Sequence, residues 1–396
     1  MMKKYGKNLF LMILFIFLLF SPVVLQAIDS SKEEEVELAK NAQSAILIEP
    51  STLEVIYTKA PDELRAPASM TKIMTMILIY EALQKKLITK DQMLTASDNV
   101  AGIEGTKIYL EPGEKMSVDD LLKSLAINSA NDAAVVFAEA IGGSLANFVK
   151  MMNQRAKQIG CKNTTFKNPH GLHEKGHMTT ARDVALMAAY LINNYPDVLN
   201  YTKIYEDYVR ENTEKRFWLV NTNKLVRFVE GVDGLKTGWT DEAGYCIAAT
   251  IIRDGRRFIA VLMKCPNNKV RNAEAVEMLT YALNNYNVVS LFKRNTVIKT
   301  YEDVSFYPKL YHIIITEDVN ILSRKGEPLK KVTTDIKIDY KHLDYDNKKV
   351  GTMKVYYDGQ FLKEVNLSVK EEVKKASFLN ILCEVLKEIF LVSSVV

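Results

Sequence analysis

Apolar positions divide the chain into four stretches of different texture. The first carries Lys3, Lys4 and Lys7, runs through unbroken apolar residues from Leu9 to Phe20, and breaks at Ser21-Pro22. A basic start, a short apolar run and a small residue at Ala27 follow the order of a secretory signal peptide. The apolar run of 12 residues falls short of the roughly 20 that a membrane-spanning helix needs. Residues 1–27 are therefore expected to be a cleaved signal peptide, which makes the protein exported and extracytoplasmic.

The second stretch, 28–290, mixes two periods. Residues 42–61 alternate around Pro50-Ser51 and predict two strands. "RAPASMTKIMTMILIYEAL" (65–83) predicts an apolar helix with Ser69 at its start. Residues 116–143 predict two helices broken at Asn128-Ser129, the first begun by a Ser117/Asp120 cap. Two amphipathic helices follow, at about 144–160 and 180–195. Then "FWLVNTNKL", "VDGLKTGWT" and "YCIAATIIRDGRRFIAVLMKC" predict strands, with Asp254-Gly255 as a hairpin turn. "VRNAEAVEMLTYALNNY" predicts a closing helix. The sum is an α+β domain.

Residues 291–375 alternate throughout and carry a second Asp-Gly turn in "YYDGQF", which predicts a small all-β sandwich domain. In 376–396, Phe378, Leu382, Val385, Leu386 and Ile389 share one helical face, opposite Asn380, Glu384, Lys387 and Glu388. That amphipathic helix could pack on the β domain or lie in a membrane surface. The closing "IFLVSSVV" favours the membrane.

Charge narrows the partners. The formal net charge of +4 drops close to neutral once Lys3, Lys4 and Lys7 leave with the signal peptide. Nucleic acid is then not an expected partner. Cys161, Cys246, Cys265 and Cys383 are too few and too scattered for a disulfide framework. Buried thiols are the favoured reading, with a single Cys246–Cys265 disulfide left open. His170, His173 and His177 cluster in "NPHGLHEKGHMTT", but its proline and glycines predict an ordered loop in preference to a metal site.

The candidate chemistry starts at Ser69 and Lys72. Residues i and i+3 of a helix can touch, and a lysine entering an apolar helix must find a partner, snorkel to water or lose its charge. Ser69 is either a helix cap or a nucleophile activated by Lys72. The S-x-x-K pattern alone decides nothing, since Ser290 and Lys293 repeat it. S-x-N also occurs twice, at Ser97-Asp98-Asn99 and Ser129-Ala130-Asn131. Lys236-Thr237-Gly238 occurs once, on a strand before a turn. The ordered set is the one used by serine penicillin-binding enzymes and class A β-lactamases. Ser129 and Asn131 are chosen because a loop between two strong helices can aim side chains. Ser97 then reads as an ordinary cap.

With "APASMTKIMT", "EPGEKMSVDDLLKSLAINSANDAA", "NPHGLHEKGHMTTARD" and "VDGLKTGWTDEAGYCIAAT", the chain resembles the serine D-alanyl-D-alanine carboxypeptidases, the low-molecular-mass penicillin-binding proteins. The resemblance covers nearly all of the mature chain. It implies a β-lactamase/transpeptidase-like catalytic domain, an antiparallel sheet flanked by helices with a helical subdomain, and a C-terminal anchor. It implies that Ser69 attacks and that Lys72 takes its proton. It gives Ser129 the proton relay to the leaving D-Ala, and has Asn131 hold the substrate amide and position Lys72. Lys236 keeps the site poised, and Thr237 binds the terminal carboxylate together with Arg271, which aligns better than Arg256 or Arg257. Gly238 completes the motif, and the backbone N–H groups of Ser69 and Trp239 form the oxyanion hole. The implied partners are peptidoglycan stem peptides ending in D-Ala-D-Ala, β-lactams as covalent inhibitors, and the outer face of the cytoplasmic membrane. No cofactor or metal is implied. A β-lactamase would need a deacylating glutamate, and only Glu174 lies near. A crosslink-cutting endopeptidase and a non-catalytic wall-binding scaffold are the other rivals.

Overall fold

The computed structural model describes residues 36–211, 213–338 and 349–392. The expected signal peptide, His342 and the last four residues lie outside the described residues.

The first strands, β1 (Ser44–Ile48) and β2 (Val55–Lys59), flank the Pro50-Ser51 turn. β1 is buried along its whole length, as a central strand covered on both faces must be. A 3₁₀ turn, Ala68–Thr71, leads into α1 (Lys72–Gln84). Eleven residues of α1 are buried, so it is the central pillar of a helical layer and has no polar face to spare. α2 (Val118–Lys123) runs on as a π turn over Ser124–Asn128, and the chain breaks at Ser129 before α3 (Asn131–Gly142). The Ser117 hydroxyl accepts from Asp120 N–H at 3.1 Å, which is the cap read from the sequence. α4 (Leu145–Ile159) and α5 (Ala181–Asn194) complete this layer.

The hairpin β3 (Glu206–Val209) and β4 (Phe217–Val220) precedes the long strands β5 (Val232–Thr240), β6 (Gly244–Arg253) and β7 (Arg256–Cys265). The antiparallel sheet has the order β2-β1-β7-β6-β5. Ile46, Ile48, Ala248, Ile259 and Val261 face the α1–α5 layer. Ala45, Leu47, Ala249, Phe258 and Ala260 face α6 (Asn268–Asn285), through Ala275, Met278 and Leu279. Strand alternation thus builds a three-layer core.

A bulge in the β6–β7 ladder beside Lys264 (φ 57°) settles the disulfide question. It turns Cys265 to the α6 face, while Cys246 faces the helical layer. A bridge between opposite faces of one sheet is not available. Both are buried thiols, as is Cys161, whereas Cys383 is exposed.

α6 passes directly into β8 (Tyr286–Phe292), which runs through position 290 and places Ser290 in a ladder opposite Asn320. β9 (Val297–Glu302), β10 (Phe306–Tyr307), β11 (Leu310–Ile315), β12 (Val319–Arg324), β13 (Val332–Ile338), β14 (Lys349–Tyr357), β15 (Gln360–Val369) and β16 (Lys374–Lys375) follow. A five-stranded sheet β9-β11-β15-β14-β13 closes over Tyr311, Ile313, Met353, Val355 and Val365. α7 (Phe378–Val392) ends the described chain. Phe378, Leu379, Leu382, Val385 and Leu386 are exposed, while Glu384 is tied to Lys309 of the β unit at 3.4 Å.

Candidate active site

Three elements meet at Ser69. The 3₁₀ turn carries Ser69, α1 begins with Lys72, and β5 runs alongside. β5 approaches so closely that a Cβ on Gly238 would lie 3.0 Å from Pro67 O and 3.1 Å from the Ser69 nitrogen. Gly238 is thus a clearance, and without it the strand could not line the nucleophile's backbone.

Lys72 is fully buried. Its Nζ lies 2.6 Å from Asn131 Oδ1, 2.7 Å from the His170 carbonyl and 3.1 Å from Ser69 Oγ. Burial holds its amine well below the usual lysine range, the charge of Lys236 adds to this, and Asp132 opposes it. A neutral amine has two N–H bonds and one lone pair. Asn131 Oδ1 and the His170 carbonyl only accept, so they take both hydrogens. In that neutral form the lone pair is left facing the Ser69 hydroxyl. Asn131 cannot turn over, because its Nδ2 donates to Glu104 O at 2.7 Å. The Asp132 carboxylate in turn accepts from the N–H groups of Ile108, Leu110 and Ala133, which fixes the loop ahead of it.

Ser129 sits in the left-handed region (φ 65°) at the break between the π turn and α3. Its hydroxyl is buried and has no hydrogen-bond partner among the described residues. A buried hydroxyl left unpaired costs roughly 1–3 kcal/mol, a cost retained at sites that await a ligand. Lys236 is also buried and bonds Thr237 O at 3.2 Å. Burial, then the charge of Arg271, brings it down to about 7. The Thr237 hydroxyl donates to Thr222 Oγ1 at 2.8 Å, and Thr222 N–H bonds Ile127 O, joining β5 to the Ser129 break. Trp239 projects outward beside Tyr245.

Arg271 is buried in the first turns of α6, and its guanidinium donates to Asn272 Oδ1 at 2.8 Å. Its charge is felt by Lys236. Arg256 is bound to Leu283 and Tyr286 carbonyls, and Arg257 to Asp233 and Thr250. Both are therefore structural. Ser97 caps the turn at Asn99. The Glu174 carboxylate meets Asn168 at 3.3 Å, and His173 pairs with Glu242. Among the described residues no group of three His, Cys, Asp or Glu is placed to hold a metal ion.

The motifs did not reveal the groups that hold the motif residues. The His170 and Glu104 carbonyls are backbone atoms, so no side-chain pattern marks them. Gly171 was visible only as a turn residue. Its missing Cβ would fall 1.9 Å from Ala68 O.

Residues 30–267 match the family described as D-alanyl-D-alanine carboxypeptidase. The D-alanyl-D-alanine carboxypeptidase DacF of Bacillus subtilis is 43% identical over 367 residues, 92% of this chain and 94% of that protein. DacC of Escherichia coli is 30% identical over 374 residues, 91% and 90% of the two chains. Penicillin binding protein 5 from Haemophilus influenzae superposes with a TM-score of 0.67 at 27% identity, over 86% of this chain and 99% of its own. A penicillin-binding protein from Listeria monocytogenes, solved in a cefotaxime-bound form, gives 0.55 at 31% identity, over 62% and 97%. Sequence, fold and the serine–lysine geometry agree, and the chain belongs to the D-alanyl-D-alanine carboxypeptidase family.

Proposed function

We propose that this D-alanyl-D-alanine carboxypeptidase removes the terminal D-Ala from peptidoglycan stem peptides through an acyl-enzyme on Ser69. The observation that carries the reading is the Lys72 amine, whose two hydrogens are consumed by fixed acceptors. Ser69 Oγ attacks the carbonyl carbon of the penultimate D-Ala and its proton passes to Lys72 Nζ. The oxyanion lies between the N–H groups of Ser69 and Trp239, which are fixed before charge develops. The C–N bond breaks, and the Ser129 hydroxyl passes a proton to the leaving D-Ala amine and takes one in turn from Lys72 Nζ, which becomes neutral again. Lys236, Thr237 and Arg271 hold the terminal carboxylate. Water then attacks the ester, Lys72 accepts its proton, and as the ester C–O bond breaks Lys72 returns that proton to Ser69 Oγ. A β-lactam takes the same path as far as the ester, but its amine stays tethered and obstructs the water. With a D-Ala-D-Ala pentapeptide, wild type is expected to release one D-Ala per peptide and Ser69→Ala none. Release by Ser69→Ala would refute the assignment.

Localisation is part of this proposal. The exposed apolar face of α7 supports attachment to the outer face of the cytoplasmic membrane, with the β unit as a spacer. Among the described residues no single helix is long and apolar enough to cross a membrane. A chain ending at residue 375 is expected to lose sedimentation with lipid vesicles and to keep peptide hydrolysis. Undiminished vesicle binding would defeat the anchor.

A further inference from the structure

His177 lies outside the motif set, yet it is buried beside the nucleophile. Its Nδ1 accepts the Lys167 N–H at 3.2 Å. The ring proton of the neutral imidazole is therefore on Nε2, which lies 2.8 Å from Thr71 Oγ1. Thr71 Oγ1 accepts there and spends its own hydrogen on Ala68 O, again at 2.8 Å. Burial lowers His177 to about 4, with Lys167 and His173 adding to it, so the ring is neutral at pH 7. The Phe166 ring packs against its edge.

The end of this chain of bonds matters. Ala68 O and the Ser69 N–H belong to one planar trans peptide unit and point in opposite directions. Fixing the carbonyl fixes the N–H. Ala68 has φ 47°, a conformation a non-glycine residue keeps only when its surroundings hold it. Gly171 closes on the same carbonyl from the loop side.

We propose that His177 is a positioning residue for catalysis: through Thr71 it clamps the Ala68–Ser69 peptide plane and so aims the Ser69 N–H at the developing oxyanion. The inference rests on the Ser69 reading above. It assigns a task to a histidine that does not touch the substrate.

Two substitutions separate the relay from simple support of the loop. His177→Gln places an amide near the Nε2 position and keeps the bond to Thr71. His177→Asn places its amide near Nδ1, keeping the bond to Lys167 and losing the one to Thr71. Acylation of the full chain by a fluorescent penicillin, with the limiting rate at saturation separated from apparent affinity, reads the difference beside thermal unfolding. The relay predicts a limiting rate lowered about tenfold or more for His177→Asn and for Thr71→Val, with His177→Gln within about threefold of wild type. The double variant His177→Asn/Thr71→Val is expected to be no slower than the slower single one, because both cut the same relay. Wild-type rates in His177→Asn, a His177→Gln slower than His177→Asn, or multiplying effects in the double variant would overturn it. Thr71→Val carries the test if His177→Asn does not fold. A wild-type chain that takes no penicillin would refute the underlying Ser69 reading instead.

Discussion

Lys72→Met is expected to slow acylation of Ser69 by about four orders of magnitude, the upper range for loss of a general base. Methionine fills much of the same volume and leaves α1 intact, so the loss belongs to the chemistry. The serine hydroxyl keeps its place and loses the lone pair that would take its proton. Stopped-flow measurement with a fluorescent penicillin reads the rate, and a loss of less than about tenfold would remove Lys72 from the base role. Stability gives an independent sign. In the unfolded chain Lys72 holds its proton up to its ordinary 10.5; in the fold, burial makes it give the proton up well below that. The unfolded state therefore binds more protons across that interval, and wild type gains stability as pH rises through it. Methionine has no such dependence. Thermal unfolding at about pH 7 and about pH 10 should show wild type gaining relative to Lys72→Met. A difference that does not vary with pH would mean that Lys72 keeps its charge in the fold.

Gly171→Ala should also slow acylation, although the residue does no chemistry. Its φ is 94°, and an added Cβ would fall 1.9 Å from Ala68 O, 2.4 Å from Ala68 C and 2.9 Å from Thr71 Oγ1. The first two are backbone atoms of the turn that carries Ser69. The loop must withdraw, and it takes the neighbouring His170 carbonyl away from Lys72 Nζ. Acylation should fall about a hundredfold, with a loss of stability of about 3 kcal/mol. Gly176→Ala in the same loop is the control. Its φ is 82°, but the nearest contact is the flexible Lys167 Cε at 3.4 Å. That variant should show the strain cost alone, about 1 kcal/mol, and near-normal acylation. Equal behaviour of the two variants would mean that loop strain, and not the Ala68 contact, sets the loss.

These two sites mark where sequence reasoning stopped. Apolar runs and their breaks were enough for the sheet strands, the α1 pillar and the break at Ser129, because β1 and α1 are buried nearly all round and so read as continuous apolar sequence. The motif positions were legible because S-x-x-K, S-x-N and K-T-G name side chains. What holds those side chains was not legible. The acceptors that take the hydrogens of Lys72 include a backbone carbonyl, which any residue at position 170 would supply. Gly171 and Gly238 read as turn and motif letters, whereas the space they leave open is tertiary. The Cys246–Cys265 alternative stayed open for the same reason: the bulge at Lys264 that separates them changes one strand's parity, and nothing in the local sequence announces it.

The central claim is that Ser69, activated by neutral Lys72, forms an acyl-enzyme that β-lactams trap. Intact-mass analysis of the protein incubated with benzylpenicillin, beside Ser69→Ala, tests it most directly. The account predicts a lasting adduct of one penicillin on wild type and none on Ser69→Ala. An unmodified wild-type chain would contradict it: with the antibiotic hydrolysed, the site would be working as a β-lactamase, and with the antibiotic intact, Ser69 would be no more than the start of a helix.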